Sequence, residues 1–211
     1  MSVIFLVSFY GFIGYKTIHK NDTSTVAASL ASLSADSSAK EDKKSSQDYG
    51  VARAQIALAE YNKGIREETK GCNCGPEINK YTEGLEKQWC AMFATWVFNQ
   101  AGTPVRGAGK PWKVTKTRNI APYLEKNGTW HSKEEIIADD LTPQVGDVML
   151  FWRGNFEGDL GHADIVVAVN EDKPGFASLV GGNIDDKVTF RDNYYYKNHY
   201  GLLGFGRIDQ P

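Results

Sequence analysis

Cys90-Ala91-Met92-Phe93-Ala94-Thr95-Trp96-Val97-Phe98-Asn99-Gln100-Ala101 is apolar almost all the way round a helical wheel. A helix with no polar face is buried rather than laid on a surface. Gly102 stops it and Pro104 follows, the usual order at a helix C-terminus. A buried helix needs a sheet to lie on, and the second half of the chain supplies one. From Gly146 the apolar period changes to two, in short Val/Ile/Phe-rich runs at 147–152, 163–169, 176–180, 187–191 and 203–208. Gly, Asn and Asp separate these runs, as they separate strands. Helices first and strands second predict an α+β fold, with N-terminal helices packed on a C-terminal antiparallel sheet of about five strands.

Outward from the central helix, residues 51–62 carry Ala52, Ile56, Leu58, Ala59 and Tyr61 as the apolar side of a second helix. Gly64, Gly71, Gly75 and Pro76 mark a long irregular connection between the two. A shorter helix is expected over 118–126. Ser132 and Glu135 have capping-box spacing and predict a helical turn after Trp130.

The chain has 211 residues, 24 basic against 26 acidic, and a net charge of -2. This balance excludes a protein whose main task is neutralising nucleic-acid phosphates. Residues 3–15 carry no charge but fall short of the roughly 20 that cross a bilayer. Residues 1–20 read as an apolar anchor or signal segment, with membrane attachment expected through it. Residues 21–49 hold eight Ser and five Ala, with the charged patch 40–44. Too little apolar surface is available there to offset ordering entropy, although the Ala-rich part allows some helix. The organisation expected is therefore an anchor at 1–20, a flexible linker at 21–50 and a catalytic domain at 51–211, acting as a monomer.

Cys90 at the start of the buried helix and His162 at the start of a strand form a reactive pair in prospect. A helix N-terminus carries roughly +0.5 charge and stabilises a thiolate. A histidine alongside can hold the proton and return it to a leaving amine. A third polar group must orient the imidazole, and Asn183 follows the next strand. Asp164 shares the strand face of His162, to meet a substrate amine or to make a surface hydrogen bond. Gln88 is a candidate oxyanion donor. Trp89 and Trp152 are candidate walls of a substrate groove. Cys72 and Cys74, two apart, read first as thiols in a surface loop and second as a disulfide.

Gln88-Trp89-Cys90-Ala91-Met92-Phe93, with Trp96-Val97 and Ala101-Gly102, resembles the nucleophile motif of CHAP domains, the cysteine- and histidine-dependent amidohydrolases/peptidases. The similarity continues through Gly146-Asp147, Gly161-His162, Ile165-Val166, Gly182-Asn183 and Gly204-Phe205-Gly206-Arg207. The resemblance implies a small papain-like domain that hydrolyses peptidoglycan through a thioester. The bond cut would join N-acetylmuramic acid to L-alanine, or lie within the stem or cross-bridge. It implies Cys90 as nucleophile, His162 as general base and Asn183 as orienting residue. Many relatives carry a carboxylate where this chain has Gly181, so orientation is expected to rest on Asn183 alone. Residues 81–89 offer only Glu83 and Glu86, too few oxygens for calcium. No metal and no cofactor are expected. The rival readings are an NlpC-type endopeptidase, whose relatives show Asp-Cys-Ser rather than Trp-Cys-Ala, and a wall- or partner-binding domain without activity. An extracytoplasmic position in the cell envelope follows from the resemblance.

Overall fold

A computed structural model describes residues 23–37, 45–106, 113–154 and 161–210. The apolar segment 1–20 lies outside these residues. Among the described residues, no helix is long and apolar enough to cross a membrane.

Four helices come first: α1 (Thr23–Ser37), α2 (Ser46–Asn62), α3 (Pro76–Thr82) and α4 (Cys90–Gln100). A 3-10 turn (Thr117–Asn119) leads into α5 (Ile120–Asn127), β1 (Thr129–Ser132) and α6 (Lys133–Ala138). Then follow β2 (Val148–Trp152), β3 (Gly161–Val169), β4 (Phe176–Ile184), β5 (Lys187–Tyr195) and β6 (Leu202–Arg207). The strands form one antiparallel sheet in the order β1-β6-β2-β3-β4-β5. The α+β arrangement expected from the sequence is thus the one observed, with six strands instead of about five.

The two faces of the sheet sort by alternation. Val148 and Leu150 of β2, with Ala163, Ile165 and Val167 of β3, meet α2 and α4 in the larger core. Met149, Phe151 and Val166 point the other way, onto Ile136 of α6, Leu202 and Phe205. The α4 helix is the hub of the first core, with Cys90 through Thr95, Val97 and Phe98 all buried. Its end is set where Gly102 turns with φ 88°, a left-handed value open to glycine at little cost.

Four elements differ from expectation. The strand β1 pairs Thr129 with Arg207 through Ser132 with Gly204, although Thr-Trp-His-Ser carries no alternation. Its last residue doubles as the N-cap of α6, where the Ser132–Glu135 capping box forms as its spacing predicts. The helix α3 interrupts the connection expected to be irregular, with Pro76 at its first turn, where the missing N–H costs nothing. Within the stretch read as a flexible linker, α1 is helical and buries Val26 and Leu30 against the main core. Those two are one helical turn apart, which suffices for a narrow apolar stripe. The α2 helix also begins earlier than expected, because Ser45 and Asp48 close a capping box before it.

Candidate functional site

The Cys90 thiol sits where α4 begins. Trp89 is the N-cap and offers no side-chain cap to the first turn, so the free N–H groups and the dipole face the Cys90 end. Trp89 itself is fully buried, stacked on Tyr81 at 5.7 Å. Its indole Nε1 donates to Glu67 Oε1 at 2.9 Å. The strand β4 passes directly over this turn: a Cβ at Gly182 would lie 2.6 Å from both Phe93 Cβ and Trp89 Cζ3. Only glycine allows that approach.

Cys90 keeps 6% of its surface exposed and directs its thiol to the Gly161 carbonyl at 3.6 Å. The next residue on β3 is His162, whose Nε2 makes a 2.9 Å hydrogen bond with Asp164 Oδ1. His162 Nδ1 is buried and has no hydrogen-bond partner among the described residues. Asp164 is completely buried, and its other oxygen pairs with Arg191 Nη2 of β5. The i,i+2 spacing puts the imidazole and the carboxylate on one side of the strand.

These contacts tune the pair. Burial pushes the Cys90 thiol up, but the adjacent His162 imidazole, helped by Thr117 and Arg153, draws it below its ordinary value. Burial pushes His162 down, yet Asp164 and then Cys90 bring it out above its usual value. Burial likewise opposes the charge on Asp164, and His162 and Arg191 overcome it, leaving that carboxyl below the usual range. Together these shifts favour a thiolate beside an imidazolium.

Asn183 does not reach the imidazole. Its backbone is left-handed, at φ 59°, and its Nδ2 donates to Asn73 Oδ1 at 3.0 Å. The partner expected there is Asp164 instead, and the carboxylate that position 181 lacks arrives from the strand of His162 itself. Asp164, being sealed from solvent, meets no substrate amine. Trp89 walls no groove, since its ring is spent in the core. Gln88 is exposed in the turn before α4. Trp152 is partly exposed at the end of β2 and opposes Gly161 across the ladder. Its ring meets Tyr200 edge-on at 5.4 Å. Arg191 is not legible in the sequence as part of this site, because only the β4–β5 register brings it to Asp164.

Cys72 and Cys74 are joined as a disulfide with Cα atoms 5.1 Å apart, not held as two thiols. The residue between them, Asn73, has φ 53°, and its N–H donates to Glu67 Oε2 at 2.8 Å. That carboxylate is the one that receives the Trp89 indole. The bridged loop is therefore two hydrogen bonds from Trp89, the residue preceding Cys90. Among the described residues, no group of three or more His, Cys, Asp or Glu side chains is arranged to hold a metal ion.

No curated protein matches the chain. Residues 80–183 match the family model of the CHAP domain, a span that opens at α3 and closes at Asn183. That match, and an α+β fold with helices ahead of an antiparallel sheet, identify a domain of the cell-wall amidase and peptidase type: the chain carries a CHAP domain.

Proposed function

We propose that this chain is a cysteine hydrolase of peptidoglycan amide bonds, with Cys90 as nucleophile, His162 as proton carrier and Asp164 as the group that holds His162. One observation carries the proposal: a thiol at a helix N-terminus beside an imidazole whose far nitrogen rests on a buried carboxylate. In the first half-reaction the Cys90 thiolate attacks the amide carbonyl carbon and an S–C bond forms. As the C–N bond breaks, His162 gives its Nδ1 proton to the departing amine, leaving a thioester. In the second half a water transfers a proton to His162 and adds to the thioester carbon. The S–C bond then breaks, releasing a carboxylic acid that gives its proton to solvent, and restoring the thiolate.

Asp164 keeps the ring from rotating and balances the imidazolium charge, as an orienting carboxylate does in acyl-transfer triads. A carboxylate delivered to His162 from β3, where position 181 has none, weakens the binding-module alternative. The exposed Gln88 side chain and the Cys90 N–H are candidates for the oxyanion, and Trp152 for a wall of the groove. An extracytoplasmic, monomeric enzyme held to the membrane through residues 1–20 fits this chemistry. The Cys72–Cys74 bridge supports an oxidising compartment.

The test is release of soluble fragments from purified peptidoglycan by the full chain and by Cys90→Ala. The parent is expected to release them and the variant to fall by at least about 10³-fold. Fragment masses would identify the bond. Binding of the wall by both proteins with release by neither would overturn the reading.

A further inference from the structure

Three strands converge on the Asp164 carboxylate. Asp164 of β3 stands opposite Gly181 of β4. In β5, Arg191 opposes Leu179, two residues along from Gly181. A Cβ built on Gly181 would lie 1.9 Å from Asp164 Oδ1 and 3.0 Å from His162 Nε2. The carboxylate therefore fills the volume that any side chain at 181 would need. Gly181 is not among the positive-φ residues, so its backbone suits any amino acid. What demands glycine is occupancy, not conformation.

The second oxygen of Asp164 is held as firmly as the first. Arg191 pairs with Oδ2, and its guanidinium lies 3.9 Å over the Tyr194 ring. That stacking fixes the plane of the fork. Without Arg191, Oδ2 would be buried with no partner, a costly state that rotation or protonation would relieve. Either escape removes the negative charge from its place behind His162.

We propose that positions 164 and 181 are alternative seats for one carboxylate serving His162, that Gly181 is required because Asp164 occupies the seat, and that Arg191 is a positioning residue acting through it. The proposal rests on the functional reading above for its reaction, and on the ladder geometry for everything else. It predicts a reversal of sign. An acidic side chain at 181 harms the protein when Asp164 is present and helps it when Asp164 is gone.

The experiment compares the full-length parent with Asp164→Ala, Gly181→Asp, the double variant, Arg191→Ala and Arg191→Lys. Two quantities are read: the pH dependence of Cys90 alkylation by iodoacetamide, with the Cys72–Cys74 bridge intact, and fragment release from peptidoglycan. Asp164→Ala is expected to move the alkylation midpoint upward and to cut release about 100-fold or more. Gly181→Asp alone lowers the melting temperature and slows release. The double variant returns the midpoint at least halfway and releases at least about 10-fold more than Asp164→Ala. Arg191→Ala lowers kcat with little change in KM, and Arg191→Lys recovers part of it. If Gly181→Asp acts in the same direction in both backgrounds, the two seats are not equivalent and the proposal fails. Should Asp164→Ala not fold, the isosteric Asp164→Asn replaces it, and a parent-like midpoint there also overturns the proposal. A parent that releases nothing from the wall while alkylation follows this pattern would remove the hydrolase reading and leave the shared seat standing.

Discussion

Asp147 and Asp164 belong to neighbouring stretches of one sheet, and both are fully shielded from solvent. Each is paired with an arginine. Asp147, just ahead of β2, accepts from the Gln144 N–H at 2.8 Å and from Arg207 Nη1 at 3.2 and 3.3 Å. Next to it the buried Arg53 of α2 donates to the carbonyls of Gly146 and Ile208 and to Thr103 Oγ1. This end of the molecule is a staple tying α2, the start of β2 and the end of β6 together. Burial pushes the Asp147 carboxyl up, and Arg207 and Gln144 only partly pull it back. Burial acts on Asp164 in the same sense, yet there His162 and Arg191 win and the carboxyl falls below its ordinary range. Shielding and an arginine are common to both sites. What separates them is a titratable ring on Oδ1 of Asp164 that leads on to a thiol.

Paired substitutions would break this comparison if stability and chemistry were not divided in that way. Asp164→Asn should cost about 10²–10⁴-fold in kcat while the fold survives, as near-parent circular dichroism would record. Asp147→Ala should do the reverse. Removing one partner of a buried pair costs about 3–5 kcal/mol, visible as an earlier urea midpoint, with turnover per folded molecule unchanged. Loss of turnover in the second variant, or of stability alone in the first, would collapse the distinction.

A pH profile sharpens it. The acid limb of kcat/KM should reflect Cys90 losing its proton below the ordinary thiol value, about 8.5. The alkaline limb should reflect His162 surrendering, above its ordinary value of about 6.5, the proton owed to the leaving amine. Asp164→Asn removes the charge that raises His162, so its alkaline limb moves to lower pH. In Asp147→Ala both limbs should stay where the parent has them.

The smallest effect concerns the bridged loop. Cys72→Ser with Cys74→Ser frees Asn73 to move from Glu67 and Asn183. A short bridge of this kind contributes about 1–2 kcal/mol, and Trp89 keeps its hold on Glu67. The expected result is a modest fall in melting temperature and a few-fold loss of kcat, both reproduced by reduction of the parent and absent from reduction of the double variant.

Much of this architecture is written in local pattern. The central helix was legible because Cys90 to Ala101 has no polar face, and the sheet because Val, Ile and Phe recur with a period of two. Cys90 and His162 were legible as a pair because each opens an element of the type its chemistry requires. The hydrogen-bond partner of His162 was not. Asp164 was visible as a residue on the same side of the strand as His162, but choosing it over Asn183 needs the β3–β4 register, which puts Gly181 opposite Asp164. That is long-range information, and a strand's own sequence does not hold it. The same reason hides Arg191 and the strand β1, whose pairing with β6 rather than any alternation makes it a strand. The Ala-rich stretch allowed some helix but did not show that α1 packs on the core: Val26 and Leu30 alone carry its described buried face, too few to stand out among serines.

The segment after α2 has one more consequence. Arg66 forms a bridge with Lys187, and backbone bonds from Glu67 to Asp186 and from Val188 to Ile65 run alongside it. The first rungs of β5 are thus already taken by the chain's own backbone. A foreign extended peptide trying to lengthen the sheet on that flank would have to peel this strip away first. Sheet-edge docking is discouraged there.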